Sequence, residues 1–295
     1  MTIIRLYTLK PNLASHVYSG LVLLVCFCLL LSSRSLYADH SGTDNTYIVG
    51  VVPQFEARRL HAIWRPILDQ LEKKTGYTFD LQGSPSIPDF EKEFLAGKFD
   101  FAYMNPYHLV WSQESSRYLP LIRDHSKQLQ GVLVVNNNSK INDVTELDGK
   151  IVTFPAPNAL GASLLIRADL EDIFKIKIIP RYVKTHDSVY LNVALNQAAA
   201  GGGVQKTLNR QQKQVKDSLK VLYRTRKVAP HPFASHPRID PEISKRLQDA
   251  LLEIASTEEG KQMLARIPIK QIGTASMGDY LPLNKMGLER FRQED

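Results

Sequence analysis

The chain has 295 residues, a formal net charge of +7 and a hydrophobic fraction of 43%. Its two cysteines, Cys26 and Cys28, both lie near the amino terminus. The rest of the chain can therefore form neither a disulfide nor a thiolate metal site, and we expect no metal ion. No Gly-Lys-Ser/Thr or Gly-x-Gly-x-x-Gly pattern is present, so we expect no nucleotide and no other cofactor.

The first 38 residues have the pattern of a secretory signal peptide. Arg5 and Lys10 form a basic start, residues 21–31 are an uninterrupted apolar run of 11, and Ala38 suits signal peptidase. We expect cleavage near Ala38 and a periplasmic protein. An uncleaved anchor is the alternative, although the run is shorter than the roughly 20 residues that span a bilayer. Cleavage leaves 34 basic and 30 acidic residues, a net charge of +4 that is too small to indicate nucleic-acid binding.

Strand-length apolar runs alternate with segments of helical period through most of the remaining chain. The predicted strands are residues 47–52, 79–82, 99–104, 119–123, 132–135, 151–154, 176–181, 200–204 and 219–223. The predicted helices are residues 56–75, 90–96, 106–113, 159–174, 188–198, 206–215, 241–255, 258–265 and 285–292. This alternation is typical of an α/β fold in which helices flank mainly parallel sheets.

The length of the mature chain, 257 residues, favours two lobes over one. We place the crossings between lobes near residue 130 and near residues 226–230. The predicted first lobe is then residues 39–130 plus 228–295, and the predicted second lobe is residues 131–227.

Residues 154–170 predict a strand end that turns through two prolines into an amphipathic helix. Pro155 and Pro157 lack N–H groups and end the strand, and Asn158 is placed to cap the helix. The first turn would present free N–H groups to a ligand, an arrangement that attracts anions. Its residues are Ala159, Leu160, Gly161 and Ala162, with Ser163 as the nearest hydroxyl. An ordinary strand–helix connection without a ligand is the alternative.

Three further candidates alternate at the end of another predicted strand. Tyr103, Asn105 and Tyr107 run from that strand into a helix turn, with Pro106 suited to the first helical position. Their side chains could close one wall of a cleft. Burial in the core is the alternative for the tyrosines, and a capping role is the alternative for Asn105. Gln54 follows the first strand, at the edge where open α/β sheets bind ligands.

Histidine and glycine mark two more positions in the second half of the chain. His186 precedes a predicted helix and could offer a donor near its start, while Asp187 suits capping. Three glycines, with Gly202 in the centre, end an apolar segment; glycine there marks backbone that closely approaches either a ligand or another element.

Two other features have ordinary structural explanations. His231 and His236 flank Pro232 and indicate a hinge connection, with a metal site as the alternative. The basic run from Lys206 to Lys227 is typical of a solvated helix face, with an acidic partner or a membrane surface as the alternative.

Several segments, taken in order, resemble the phosphate, phosphite and phosphonate substrate-binding proteins of ABC transporters. They are residues 49–53 (VGVVP), 97–107 (GKFDFAYMNPY), 143–154 (DVTELDGKIVTF), 184–187 (KTHD) and 257–260 (TEEG). The resemblance implies a type II periplasmic binding fold, in which two α/β lobes close on a small ligand. It also implies that Tyr103, Tyr107 and His186 contact the ligand and that residues 158–163 form the turn that grips a phosphonate.

The sequence departs from this family at that turn. Where the family has hydroxyl side chains, this chain has Ala159, Leu160 and Gly161, which leaves only backbone donors. An acidic residue usual after His186 is also absent, since residues 198–204 read AAAGGGV. We therefore expect the clamp to be retained and its ligand to be different.

The predicted function is binding without catalysis, in which a small polar or anionic ligand is delivered to a membrane permease. A sensory module that docks on a membrane histidine kinase is the alternative. A serine hydrolase built from Ser163, His186 and Asp187 is disfavoured, because there is no Gly-x-Ser-x-Gly elbow and adjacent His and Asp side chains cannot easily pair.

Overall fold

The computed structural model describes residues 45–267 and 269–293, and Thr46–Asp295 form one compact unit. The predicted signal peptide lies outside the described residues. Within them, no helix is both long and apolar enough to cross a membrane.

The described residues contain eleven strands in two sheets. The strands are β1 (Thr46–Val51), β2 (Thr78–Gly83), β3 (Phe101–Tyr103), β4 (Leu119–Asp124), β5 (Leu129–Asn136), β6 (Ile151–Phe154), β7 (Ile179–Tyr182), β8 (Ala200–Val204), β9 (Leu219–Val228), β10 (Phe233–Ser235) and β11 (Ile272–Thr274). The first sheet has the order β11-β4-β10-β3-β1-β2, and the second has the order β7-β6-β8-β5-β9. We call the parts of the chain built on them the first lobe (46–124 and 233–286) and the second lobe (129–228). The boundaries at 130 and 228 expected from the sequence remain predictions.

Helices flank both sheets. The α-helices are α1 (Ala57–Thr75), α2 (Ile87–Leu95), α3 (Pro106–Ser112), α4 (Leu165–Asp172), α5 (His186–Ala194), α6 (Gln205–Asn209), α7 (Lys213–Asp217), α8 (Pro241–Ile254) and α9 (Glu258–Leu264). Short 3₁₀ turns cover Val144–Leu147, Met277–Asp279, Leu281–Lys285 and Leu288–Phe291, and a π turn covers Leu160–Leu164. As its pattern predicts, α1 buries one apolar face and ends at Gly76, whose φ of 73° places it in the left-handed region.

The α/β fold class is confirmed, but the sheets are mixed rather than mainly parallel. β1 pairs in parallel with β2 and β3, and β6 does so with β7 and β8. The other pairs are antiparallel. The cause is the chain path: β5 brings the chain into the second sheet and β9 takes it out, so these neighbours run in opposite directions, and β10 returns between β3 and β4.

The predicted helix at 159–174 is instead a π turn followed by α4. Two glycines on the strands below explain how this turn sits so close to the sheet. A Cβ atom at Gly131 would lie 2.0 Å from the carbonyl oxygen of Gly161, and one at Gly202 would lie 2.1 Å from that of Ala162. A side chain at either position would therefore push the turn away from the second sheet.

Candidate functional site

In both lobes, the residues of interest follow the carboxyl ends of parallel strands. In the first lobe the carboxyl ends of β1 and β3 lead to Gln54 and Asn105, and antiparallel β10 begins beside Tyr103. In the second lobe the carboxyl ends of β6, β7 and β8 lead to the π turn, α5 and α6. Ligands of open α/β sheets bind at such edges. Several residues singled out from the sequence, namely Gln54, Tyr103, Asn105 and residues 158–163, therefore lie at the junction between the lobes.

Tyr103 and Gln54 of the first lobe, with His231 from the connection between β9 and β10, form one wall of this junction. The rings of Tyr103 and His231 stack with centroids 5.6 Å apart, and Gln54 Nε2 lies 2.7 Å from His231 Nε2. Because an amide nitrogen only donates, this contact puts the imidazole proton on Nδ1. The Tyr103 hydroxyl has no hydrogen-bond partner among the described residues, although its ring is buried. It is thus a donor available to a ligand.

Burial keeps this wall uncharged at neutral pH. It lowers the pKa of His231 to about 3, with smaller contributions from His108 and Lys206, and it raises the pKa of Tyr103 above its usual range. The wall therefore offers neutral donors and aromatic faces rather than fixed charge.

Lys206 supplies the charge from the second lobe. It lies half-buried on α6, directly after β8, and it forms no ion pair in the described part of the chain. Burial lowers its pKa to about 7, and nearby Arg210, Lys127 and Lys270 act in the same direction while Asp124 opposes them. The Arg210 guanidinium also lies 5.9 Å from the Phe55 ring of the first lobe. The groups around Lys206 are thus mainly basic.

Lys206 belongs to the basic run whose pattern is typical of a solvated helix face, yet it is half-buried. Its position directly after a strand that pairs in parallel with β6 was the signal that could have found it. Using that signal requires knowing that β8 pairs with β6, and the periodicity of a single strand does not reveal its neighbour in the sheet.

The π turn contributes backbone rather than side-chain groups. Leu160, Gly161 and Ala162 are buried, and their N–H groups have no acceptor among residues 45–267 and 269–293. Ser163 is fully buried, and its hydroxyl also lacks a partner within those residues. Buried donors without acceptors are rare in proteins, so these N–H groups and this hydroxyl are candidates to bind a ligand. Ala159, the residue before the turn, is only partly buried.

Gly202 does not lie open to the junction. Its backbone is packed beneath the carbonyl of Ala162 and the ring of Phe154, while Gly201 and Gly203 lie against α5 on the other face. Of the two explanations left open by the sequence, this close packing favours the approach of another element.

Asn158 is not the helix cap that the sequence predicts, because the residue before the π turn is Ala159 and has no side-chain cap. Its amide instead crosses to the first lobe. Asn158 Nδ2 donates to Glu91 Oε2 at 2.8 Å, and the second oxygen of Glu91 lies 2.9 Å from His108 Nε2. Asn105 caps α3 by accepting from the His108 N–H, and its own amide lies 3.4 Å from the Asn158 carbonyl oxygen. These residues form a buried polar connection between the lobes.

His186 and Tyr107 have other partners. His186 Nδ1 lies 3.3 Å from Thr207 Oγ1, its ring stacks on Tyr190, and burial lowers its pKa to about 4. Tyr107 is buried beside Trp111 and hydrogen-bonds to Arg292; burial raises its pKa to about 12 even though Arg292 opposes the shift.

The side chains considered for a hydrolase do not form a triad. Asp187 accepts from Gln211 at 2.6 Å, His186 pairs with Thr207, and the Ser163 hydroxyl is unpartnered within the described residues. A catalytic triad needs a nucleophile hydrogen-bonded to a base and that base hydrogen-bonded to an acid. These three side chains do not form such a chain of hydrogen bonds.

Comparison with known proteins identifies the family of the chain. A family model described as the periplasmic substrate-binding protein of phosphonate ABC transporters matches residues 49–280. The phosphate-import protein PhnD of Mycolicibacterium smegmatis is 22% identical over 239 residues, 74% of each chain. A binding protein of an ABC phosphonate transporter from Pseudomonas aeruginosa has a TM-score of 0.73 at 16% identity, covering 83% of this chain and 87% of that one. PhnD1 of Prochlorococcus marinus, solved with methylphosphonate, has a TM-score of 0.73 at 15% identity, covering 84% and 98%. The chain therefore belongs to the family of periplasmic substrate-binding proteins of phosphonate ABC transporters, as its sequence predicts, and it is not an enzyme.

Proposed function

We propose that this protein binds a small phosphorus oxyanion, such as phosphate, phosphite or a simple phosphonate, at the junction between its lobes. It then presents the closed complex to the permease of an ABC importer. Membership of the family implies a small-molecule ligand, a permease partner and an extracytoplasmic location. The choice of ligand and the residues that bind it are our proposal.

One observation carries this choice: Lys206 is a half-buried cation that has no ion-pair partner in the described part of the chain. Desolvating an unpaired ammonium group is costly, and an anion beside it would offset that cost. Asp124 is the acidic group that acts on Lys206; its Oδ1 already accepts two hydrogen bonds from Ser126 and one from Gln271, and its Oδ2 lies 3.9 Å from Lys127 Nζ. The remaining charge near Lys206 is basic, which favours an anionic ligand over a cationic one.

The neutral donors have the chemistry to complete the site. The Tyr103 hydroxyl and the N–H groups of Leu160, Gly161 and Ala162 are all free of acceptors among the described residues. Backbone N–H groups and an ammonium group bind the oxygens of phosphates well, because each bond to an ionised acceptor is stronger than a neutral one. They take the place of the side-chain hydroxyls that are missing from this turn.

The proposal is tested by calorimetric titration of the chain that starts at Asp39. Methylphosphonate, phosphite and phosphate are the ligands, and sulfate is the comparison anion. We expect Lys206→Met to weaken binding by about 10- to 100-fold, since one charge-assisted hydrogen bond contributes about 1.5–3 kcal/mol.

Lys216→Met is the matched control, because Lys216 is an exposed lysine of the same lobe on α7. It removes the same charge and should leave the affinity unchanged within about twofold. Absence of heat with every phosphorus compound, or equal affinities for the two variants, would refute the proposal.

A further inference from the structure

The last described segment, Gly287–Gln293, contacts both lobes. Its 3₁₀ turn covers Leu288–Phe291, and Leu288 is fully buried in the largest hydrophobic cluster of the protein. The same cluster includes Leu164 and Leu165 of the second lobe. The segment thus lies where the apolar cores of the two lobes meet.

Two arginines join this segment to α4 of the second lobe. Arg290 Nη2 lies 2.8 and 2.9 Å from the two carboxylate oxygens of Asp172, and Arg290 Nη1 lies 3.4 Å from Glu171. From the other side, Arg167 Nη1 donates to the Phe291 carbonyl oxygen at 2.9 Å, and its guanidinium lies 4.9 Å from the Phe291 ring. The segment is thus held to α4 both by an ion pair with a carboxylate and by a partly buried hydrogen bond to its backbone.

A third arginine joins the segment to the first lobe, at the end of α3 and just after it. Arg292 Nη1 lies 3.0 and 3.2 Å from the carboxylate oxygens of Glu114. Its guanidinium lies 4.5 Å from the Trp111 ring, a cation–π contact. Neighbouring residues of one short segment are therefore attached to different lobes.

Asn158 connects this segment to the buried polar residues between the lobes. The Gln293 N–H donates to Asn158 Oδ1 at 3.0 Å, and Asn158 Nδ2 donates to the Gln293 carbonyl oxygen at 2.8 Å. The other hydrogen of Nδ2 serves Glu91, so every hydrogen-bonding position of this amide except one oxygen lone pair is used. Separation of the lobes would leave the buried carboxylate of Glu91 without this partner, which is unfavourable.

We propose that Gly287–Gln293 is a C-terminal clasp that holds the two lobes together in the absence of ligand and must release before the cleft opens. The clasp ends beside Asn158, the residue directly before Ala159 and the π turn. Release would therefore free the turn from the first lobe. The clasp holds the lobes together without a ligand, so this inference does not depend on which ligand the protein binds.

The test measures the distance between the lobes without ligand. Spin labels on Arg58→Cys and Gln212→Cys report it, since both positions are exposed and they flank the contact between Phe55 and Arg210. The chain from Asp39 onward contains no other cysteine. In this background Arg290→Glu replaces attraction to Asp172 with repulsion.

We expect Arg290→Glu to lower the ratio of short to long distances about two- to tenfold, because it replaces an exposed ion pair with a like-charge repulsion. The charge swap Arg290→Glu with Asp172→Arg should restore the wild-type distribution. Lys245→Glu, which breaks an ion pair with Asp249 within α8, is the control with the same change of charge and should have no effect.

A distribution that is the same in wild type and Arg290→Glu would overturn the clasp. The clasp would also be overturned if Arg290→Glu lowered the fraction of short distances and the charge swap failed to restore it. Since neither readout needs a ligand, failure of every phosphorus compound to bind would count against the proposed function and leave this measurement decisive for the clasp.

Discussion

Ligand binding should draw a proton onto Lys206. Its pKa of about 7 in the free protein is low because of burial and because Arg210 and Lys127 lie nearby. A bound oxyanion would raise that pKa again, since an opposite charge in contact favours the ammonium form. Binding is then coupled to protonation, and the affinity depends on pH.

The direction and size of this effect follow from the pKa of the free protein. Below about pH 6 the amine is already protonated, so binding takes up almost no proton and the affinity is at its plateau. At pH 8 about nine in ten of the free molecules carry a neutral amine, so each ligand bound should take up about 0.9 proton. The affinity should fall about tenfold between pH 6 and pH 8, which corresponds to about 1.4 kcal/mol.

Other groups near the site should not mimic this change. His231 and His186 have pKa values of about 3 and about 4, so they stay neutral from pH 6 to pH 8. The ligand's own titration is the same for every variant and is removed by comparison with Lys206→Met. Lys127, Lys270 and Asp124 also remain in that variant, so the difference reports Lys206 itself.

The assay is titration calorimetry in two buffers of different ionisation enthalpy at pH 8. The dependence of the observed heat on the buffer gives the number of protons taken up. Wild type should exceed Lys206→Met by about 0.9 proton per ligand, and the difference should vanish at pH 6. Equal uptake by both proteins at pH 8 would refute the assignment of Lys206 to the site.

Three further predictions concern neighbouring residues. Tyr103→Phe removes a hydroxyl that has no protein partner among the described residues, so it should weaken binding about tenfold in calorimetry without changing the melting temperature. Gly202→Ala overpacks the core beneath the turn and should lower the free energy of unfolding in urea by about 1–3 kcal/mol. Gly83→Ala, with open space around it, is the control and should change that free energy by less than about 1 kcal/mol. Asn158→Ala leaves a Glu91 oxygen unpaired and should cost about 1–3 kcal/mol in the same assay; no loss would contradict the buried connection.

The sequence predicted most of the elements because their local signals agree. β6 and β8 have the predicted bounds, and α1 begins and ends within one residue of its prediction. The three-residue strands Phe233–Ser235 and Ile272–Thr274 were not predicted, since strands this short have too few residues to show alternation. The predicted helix at 206–215 is divided into α6 and α7 for a similar reason, since no proline or glycine marks the break.

The candidate site was predictable in its elements but not in its contacts. The strand ends that carry Tyr103 and the π turn were recognised from proline, glycine and strand patterns. Lys206 and Glu91 were missed because a charged side chain in a polar run looks solvated until its neighbours are known. Asn158 was placed correctly at the turn, yet its amide bonds Glu91 and Gln293, which are 67 and 135 residues away in sequence. No local pattern encodes a partner at that separation.

A crystal structure of the chain from Asp39 onward, grown with methylphosphonate, would test the central claim most directly. Our account predicts the phosphonate oxygens between the lobes, within hydrogen-bonding distance of Lys206 Nζ, the Tyr103 hydroxyl and at least one N–H group of Leu160, Gly161 or Ala162. A phosphonate bound elsewhere, or a junction without it at saturating concentration, would contradict the account.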